Sequence, residues 1–352
     1  MKKLFLSLIV AAVGALGMYA QDDFVATLNH GSELSTFAGE NALAQACEAA
    51  EDGDVITLSP GVFVGCNISK AVTLRGAGYM PAASNGYVST QITGEFSIYP
   101  PSVAASTFEM EGVEVFSRMY IRGEGQPQVR LSKCFFRGAV WGRGVNLNAH
   151  SCVFYSLAAS TSSGYYYSPG NYNTLFRCNN CVIIDASSEG MYDSKLARII
   201  ATNCIVNPWQ SAVHYSTFIN CIIIEDSDSN FPLPESCNAY GCIGINWREE
   251  GGTPDLFVDV WNPNNEMVEG AGQTAMANVF KTLRDLHGNH IHSSFELTDE
   301  AAAQYLGDDG TQVGVYGGNS PFNINLANPQ VTKFTVNSST ENGQLKVKIN
   351  VE

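Results

Sequence analysis

SKCFF (132–136), HSCVF (150–154), NNCVI (179–183), TNCIV (202–206), INCII (219–223) and YGCIG (240–244) repeat one phrase around a cysteine. The cysteines are Cys134, Cys152, Cys181, Cys204, Cys221 and Cys242, at successive gaps of 18, 29, 23, 17 and 21 residues. Two residues after them stand Phe136, Phe154, Ile183, Val206, Ile223 and Gly244. Three before them stand Leu131, Ala149, Cys178, Ala201, Phe218 and Ala239, and five before them Val129, Leu147, Phe176, Ile199, Ser216 and Cys237. Four small or apolar columns with polar residues between them mean that each turn of chain points the same positions inward. A period near twenty with elastic gaps predicts stacked coils of a solenoid, because each unit buries its apolar face only against its neighbours.

The N-terminus sets the compartment. Lys2-Lys3, an apolar run from Leu4 to Leu16 and Met-Tyr-Ala before Gln21 read as a secretory signal over residues 1–20. The run is short for a membrane span and no second one follows, so no membrane insertion is expected. The mature chain is expected in the periplasm, at the cell surface or outside the cell. Removing Lys2 and Lys3 takes the basic residues from 19 to 17 against 34 acids, so the net charge moves from -15 to about -17. That balance argues against nucleic acid as a partner, since phosphate binding needs clustered Lys and Arg. It also makes an acidic polysaccharide an awkward ligand unless calcium or a local basic patch intervenes.

Ten cysteines in an exported chain ordinarily suggest disulfides. Coils lie about 4.8 Å apart, and cysteines in register point in parallel, whereas a disulfide needs a torsion near about 90°. The six repeated cysteines are therefore expected as buried, reduced thiols that pack like alanine or valine. Cys47 with Cys66, or Cys237 with a neighbour, could pair. Cys178 and Cys181 form a CxxC without a second pair or paired histidines, which favours a core role over metal.

Upstream, Asn41 to Ala50 has helical spacing, with Leu43, Ala46, Cys47 and Ala50 on one face. GDVITLSPGVFVGCNISKAVTLRGAG (53–78) then alternates Val55, Thr57 and Ser59 with Ile56 and Leu58, turns at Pro60-Gly61 and resumes at Ile68, Val72 and Leu74. An Ala-rich helix, a GD-x-I-x-L-x-PG strand and turn, and an I-x-K-x-V-T-L-x-G-x-G strand resemble the opening of pectin-lyase-like right-handed parallel β-helix proteins. The resemblance covers roughly residues 40–250. It implies an all-β, single-stranded right-handed parallel β-helix whose open end is plugged by the helix, since an open end would expose apolar side chains and strand edges. GDDGTQVGVYGGNSPF (307–322) resembles the closing segment of secreted bacterial β-helix proteins. Weaker strands at Phe96 and Ile98, and at Phe116, Met119 and Ile121, raise the count to roughly eight to ten coils.

PDLFVDV reads as one more strand. Residues 273–286 have Met276, Val279, Phe280, Leu283 and Leu286 at helical spacing. Thr298 is placed to cap a helix through Leu306, with Asp299 and Glu300 in its first turn. Leu345, Val347, Ile349 and Val351 alternate opposite VTKFTV as a hairpin. The expected division is a signal at 1–20, a β-helix domain at 21–322 with a helical insertion near 273–306, and a C-terminal hairpin cap at 323–352.

On such a scaffold, residues far apart in sequence stack on the outer wall. Four or five residues past the core cysteines lie Asp185, Pro208-Trp209, Glu225-Asp226 and Asn246-Trp247. Trp209 and Trp247 would flank the acids, and indoles with carboxylates suit a neutral sugar. Asp185, Glu225 and Asp226 are the candidates for acid–base hydrolysis. Tyr165, Tyr166, Tyr167 and Tyr172 stand in the polar stretch SLAASTSSGYYYSPGNYN, expected as a protruding loop and contact surface. HGNHIH places His287, His290 and His292 near Asp285 with metal-like spacing, which at a helix end also suits the dipole. No cofactor is expected; calcium stays open but without support, because no alternating carboxylates surround Asp308-Asp309-Gly310.

The enzymatic branches of the resembled family carry QDTL and DFIFG motifs, or NTD, DD, GHG and RIK in order. Here the DD pairs are Asp22-Asp23 and Asp308-Asp309, at the two ends, and the other motifs are missing. The resemblance thus implies a fold and stops short of an activity. The expected function is a non-catalytic exported protein that binds polysaccharide or another cell-surface macromolecule. The alternatives are a divergent polysaccharide lyase or glycoside hydrolase, and a structural or adhesive surface protein.

Overall fold

The computed structural model describes residues 24–79, 89–101, 107–123, 125–159, 174–186, 197–208, 215–225, 237–250, 253–268, 273–283, 295–324, 331–336 and 347–351. Strands take 51% of the chain and helices 9%, which settles an all-β class. Two long parallel sheets wind into a β-solenoid of about six turns.

The first sheet runs in parallel from Val55–Leu58 through Thr73–Arg75, Thr107–Glu111, Gln128–Ser132, Asn146–His150, Thr174–Asn179, Ala197–Thr202 and Thr217–Ile219 to Asn238–Tyr240. The second begins at Gly61–Val64 and passes through Phe135–Arg143 and Val153–Ala159 to Ile243–Glu250. A third wall is built from Asn67–Ile68, Phe96–Ile98 and Met119–Arg122 against the far half of Phe135–Arg143. The expected eight to ten coils are too many: there are about six turns, and the early strands shrink to two residues at Asn67–Ile68 and Glu114–Val115. The regular turns are those marked by the cysteines.

The cysteine columns face inward as expected. All six repeated cysteines are fully buried, together with Phe136, Phe154, Ile183, Val206 and Ile223 beyond them. Phe136 stacks on Phe154 at 4.9 Å between centroids and 4° between planes, the geometry of identical positions one coil apart. All ten cysteines are free thiols. They do more than fill space, however. Each repeated cysteine donates its thiol to the carbonyl two residues earlier, at 3.2 to 3.4 Å. The sulfurs of Cys204, Cys221 and Cys242 also accept the backbone N–H of the cysteine one coil earlier, at 3.2 to 3.4 Å.

Those N–H groups need a side-chain partner because the chain turns sharply just before them. Lys133, Ser151, Asn180, Asn203, Asn220 and Gly241, each directly preceding a cysteine, have φ between 50° and 55°. This left-handed corner joins the two sheets. It costs most side chains about 1–2 kcal/mol, and Asn and Gly tolerate it best.

The N-terminal end closes in two ways. Helix α1 (Ala42–Ala49) buries Ala42, Leu43, Ala46 and Cys47, and it packs on the first coil. A hairpin, Val25–His30 with Glu33–Ala38, pairs antiparallel with Val55–Leu58 and occupies the edge of the first sheet. The sequence reading missed this hairpin. Glu33–Ala38 is exposed along most of its length and carries no core pattern.

Two further expectations are corrected. Residues 273–286 do not form one helix: Gln273–Ala275 is a strand, helix α2 covers only Met276–Val279, and Phe280 bridges to Leu297. The backbone leaves the helix because the N–H of Lys281 bonds Glu296, so apolar spacing that suits a helix is buried by a β-bridge instead. PDLFVDV is a strand as expected, within Thr253–Trp261, which runs antiparallel to Ile243–Glu250 and ends the parallel winding. SLAA, taken as the start of a loop, belongs to Val153–Ala159, with Leu157 and Ala158 buried.

Helix α3 (Asp299–Gln304) is capped as expected, Thr298 Oγ1 accepting the Ala301 N–H at 3.1 Å. Val331–Val336 and Val347–Val351 pair as an antiparallel hairpin in a sheet of their own.

A second apolar core lies outside the solenoid. The residues just after the cysteines, Phe135, Val153, Val182, Ile205, Ile222 and Ile243, point out of the second sheet and yet are buried. Residues 295–324 cover them with Phe295, Leu297, Val313, Val315 and Phe322. The covering segment runs back along the corner residues. Asn220 Oδ1 accepts the Asp308 N–H, and the Asn220 carbonyl accepts Gly314, each at 2.9 Å. Asn180 Nδ2 donates to the carbonyls of Val315 and Gly317 at 2.9 Å, and Ser151 Oγ accepts the Asn323 N–H at 3.2 Å. The segment is a strap across four coils.

Candidate functional site

Among the residues expected to form a site, the structure places the backbones of three. Glu225 ends Ile222–Glu225 and pairs with Asn246, the neighbour of Trp247. Asp185 precedes Ala186, which pairs with Pro208. Asp185 and Glu225 thus stand at the same end of the second sheet, two strands and about 10 Å apart. Asp226, Trp209, Tyr165, Tyr166, Tyr167 and Tyr172 lie outside the described residues, as do Asp285, His287, His290 and His292.

A different wall carries a defined cavity. The outer face of the first sheet holds a groove of about 320 Å³ that crosses five coils, from Thr73 and Arg75 to Asn179. Parallel register builds it. Thr73, Glu109, Arg130, Asn148 and Arg177 form one outward column, and Arg75, Glu111, Ser132, His150 and Asn179 form the next. Alternation along each strand puts Phe108, Met110, Val129, Leu131, Leu147 and Ala149 inside, so these polar residues must face out.

The groove is charged in pairs. Arg130 Nη1 lies 2.7 Å from Glu109 Oε1, and Lys133 Nζ 3.8 Å from Glu111 Oε1. Asn148 Nδ2 donates to Gln128 Oε1 at 3.4 Å. Partial burial, then the positive charge of Lys133, holds the His150 imidazole below its ordinary pKa. His150 is therefore neutral at neutral pH and offers one donor and one acceptor. Glu109 and Glu111 sit two residues apart on one face, about 7 Å along the strand. The set can hydrogen-bond hydroxyls, pair an anionic substituent with arginine, and present two carboxylates to one ligand. Among the described residues no group of three or more His, Cys, Asp or Glu side chains could hold a metal ion.

Around the corner, the third wall carries an aromatic and cationic cluster. Tyr120 meets Trp141 edge to face at 5.4 Å. Arg118 lies 5.2 Å over the Trp141 ring, and Arg122 5.1 Å over Tyr120. The two walls differ in charge: Arg130, Lys133 and Arg137 pair with Glu109, Glu111 and Glu114, just ahead of a basic stretch of sequence. From Val115 to Ile184 the sequence has seven basic residues (Arg118, Arg122, Arg130, Lys133, Arg137, Arg143 and Arg177) and one acid, Glu124. Along the sequence, this stretch reverses locally the sign of a strongly acidic chain.

The signal for the groove was in the repeat. Its residues stand two and four positions before each column position: Arg130 and Ser132 before Cys134, Asn148 and His150 before Cys152, Arg177 and Asn179 before Cys181. The positions four or five after the cysteine lie at the other end of the coil, on the second sheet. No match is found for this chain among protein-family models, curated proteins or solved structures. Fold and site therefore define a class, the parallel β-solenoid with a polar outer groove. No helix among the described residues is long and apolar enough to cross a membrane.

Proposed function

We propose that the chain is an exported, pectin-lyase-like parallel β-helix protein that binds a polysaccharide or another cell-surface macromolecule along the outer face of its first sheet. One observation carries this reading: a groove across successive coils lined by Arg75, Glu109, Glu111, Arg130, Asn148 and His150. An extended polymer of regular repeat suits a surface whose own groups repeat at about 4.8 Å. Arg118 and Arg122 lie over the Tyr120–Trp141 rings, placing cations at a stacking surface beside the groove for a polymer that carries carboxylate or sulfate groups. Asp185, Glu225 and Trp247 belong, in this reading, to a separate contact on the second sheet.

A glycan array probed with the wild type and with Arg130→Ala tests it. Arg130 is exposed and paired only across the surface, so the variant should fold normally and lose about tenfold or more in affinity for the glycan bound by the wild type. Silence of the wild type across the array, or equal binding by the variant, rejects the groove. A second reading is favoured by the two outward carboxylates, Glu109 and Glu111, on one strand of the groove, since glycoside hydrolysis uses a pair of carboxyl groups. Release of reducing ends from a bound glycan, abolished in Glu111→Gln, would establish hydrolysis.

A further inference from the structure

Cys47 and Cys66 occupy a position unlike that of the other thiols. Cys47 lies on the inward face of α1, beside Leu43 and Ala46. Cys66 lies in the bend between Gly61–Val64 and Asn67–Ile68, and its carbonyl is fixed by the Ser97 N–H at 3.1 Å. The Glu40 carbonyl, just ahead of the helix, takes the Val64 N–H at 3.1 Å, so helix and bend are held against each other. Cys66 packs against the core cluster that contains Cys47, which brings the two thiols close enough to influence each other. Cys47 is buried, whereas Cys66 is half-buried and open to reagents.

We infer that Cys47 and Cys66 are a disulfide site, oxidised by a small-molecule or protein disulfide to a covalent link between the capping helix and the first coil. The inference is independent of the groove. The nearby Cys47 thiol lowers the Cys66 pKa, while Cys66 and burial hold the proton on Cys47. Cys66, the more exposed of the two, is the thiol that meets the oxidant first and attacks as its thiolate. It displaces one thiolate from the oxidant and forms a mixed disulfide; Cys47 then gives up its proton, attacks the Cys66 sulfur and expels the second thiolate. Two protein thiols lose two electrons and two protons, and the oxidant becomes two thiols. The repeated cysteines are poorer sites, because they are fully buried and each thiol is committed to a backbone carbonyl. An oxidising compartment, to which a signal-bearing chain is delivered, is where the link would form.

The test uses the full chain, reduced and then equilibrated with oxidised glutathione under native conditions. Remaining thiols are alkylated, and the product is mapped by mass spectrometry. The expected result is loss of two of the ten thiols, a cross-linked peptide pair containing Cys47 and Cys66, and full reversal by dithiothreitol. The oxidised form should melt a few degrees higher than the reduced form, and Cys66→Ser should lose both the link and the shift. Alkylation of both residues, arrest at a glutathione adduct on Cys66, or a link elsewhere overturns the assignment. The wild-type map alone decides, so poor folding of the variant leaves the question answered.

Discussion

A left-handed residue in front of a buried cysteine is the smallest unit that makes this solenoid work. Asn180 combines both demands of the corner, with φ of 50° and two side-chain bonds to the strap. Asn180→Ala should destabilise the protein by about 2–4 kcal/mol in urea unfolding, from backbone strain and two carbonyls left unpaired. Asn180→Gly removes the bonds but not the conformational freedom, so it should cost about 1–2 kcal/mol less. Equal costs would show that strain at the corner is negligible. At the other end His30 Nδ1 sits 2.8 Å from the buried carboxylate of Asp54. The bond and then the charge of Asp54 raise the His30 pKa. Its contribution is therefore full below about pH 6.5, the unfolded value, and is lost as pH rises through the folded value. His30→Gln should melt below the wild type at pH 5 and level with it at pH 8.5; a gap that persists at high pH would remove the charge from the account.

At the scale of elements, the strap is the feature the sequence reading undervalued. GDDGTQVGVYGGNSPF was identified as a closing segment, but its path back over four coils depends on contacts more than a hundred residues apart, such as Asn180 with Val315. The glycines permit that path: Gly314 has φ of 82° and a Cβ there would press on Ile222. Val315 is buried among the outward isoleucines. Val315→Asp should cost at least about 3 kcal/mol, because a carboxylate would lie against an apolar face. If the strap lifts rather than the whole molecule unfolding, the variant will bind a hydrophobic dye while keeping its far-ultraviolet spectrum. A variant that melts like the wild type would mean that the strap adds no stability. The apolar residues after each cysteine carried this information, since a strand apolar on both faces must be covered twice. Residues 273–286 failed for the opposite reason: helical spacing was present, but a β-bridge from Phe280 to Leu297 buried the same side chains.

At the scale of the whole molecule, net charge misleads as a guide to ligands. A chain at -15 carries a stretch with seven basic residues against one acid, and coiling sets three of them against Glu109, Glu111 and Glu114. Binding through the groove should weaken as salt rises from about 0.05 to 0.5 M, because exposed charges are screened within about 10 Å at 0.1 M. Salt-independent binding would point to the Tyr120–Trp141 surface instead.

What the sequence determined by itself is what repeats locally. The inward columns, the free thiols, the capping helix α1, the Thr298 cap and the terminal hairpin each rest on a short-range pattern that one coil or one turn suffices to express. Only the tertiary structure decided which positions meet across coils, because lateral neighbours on a solenoid depend on how coils of unequal length, 17 to 29 residues from cysteine to cysteine, come into register. That register aligns Glu109 with Arg130 and Asn148, and tertiary contacts also lay the strap over the second sheet's outer face.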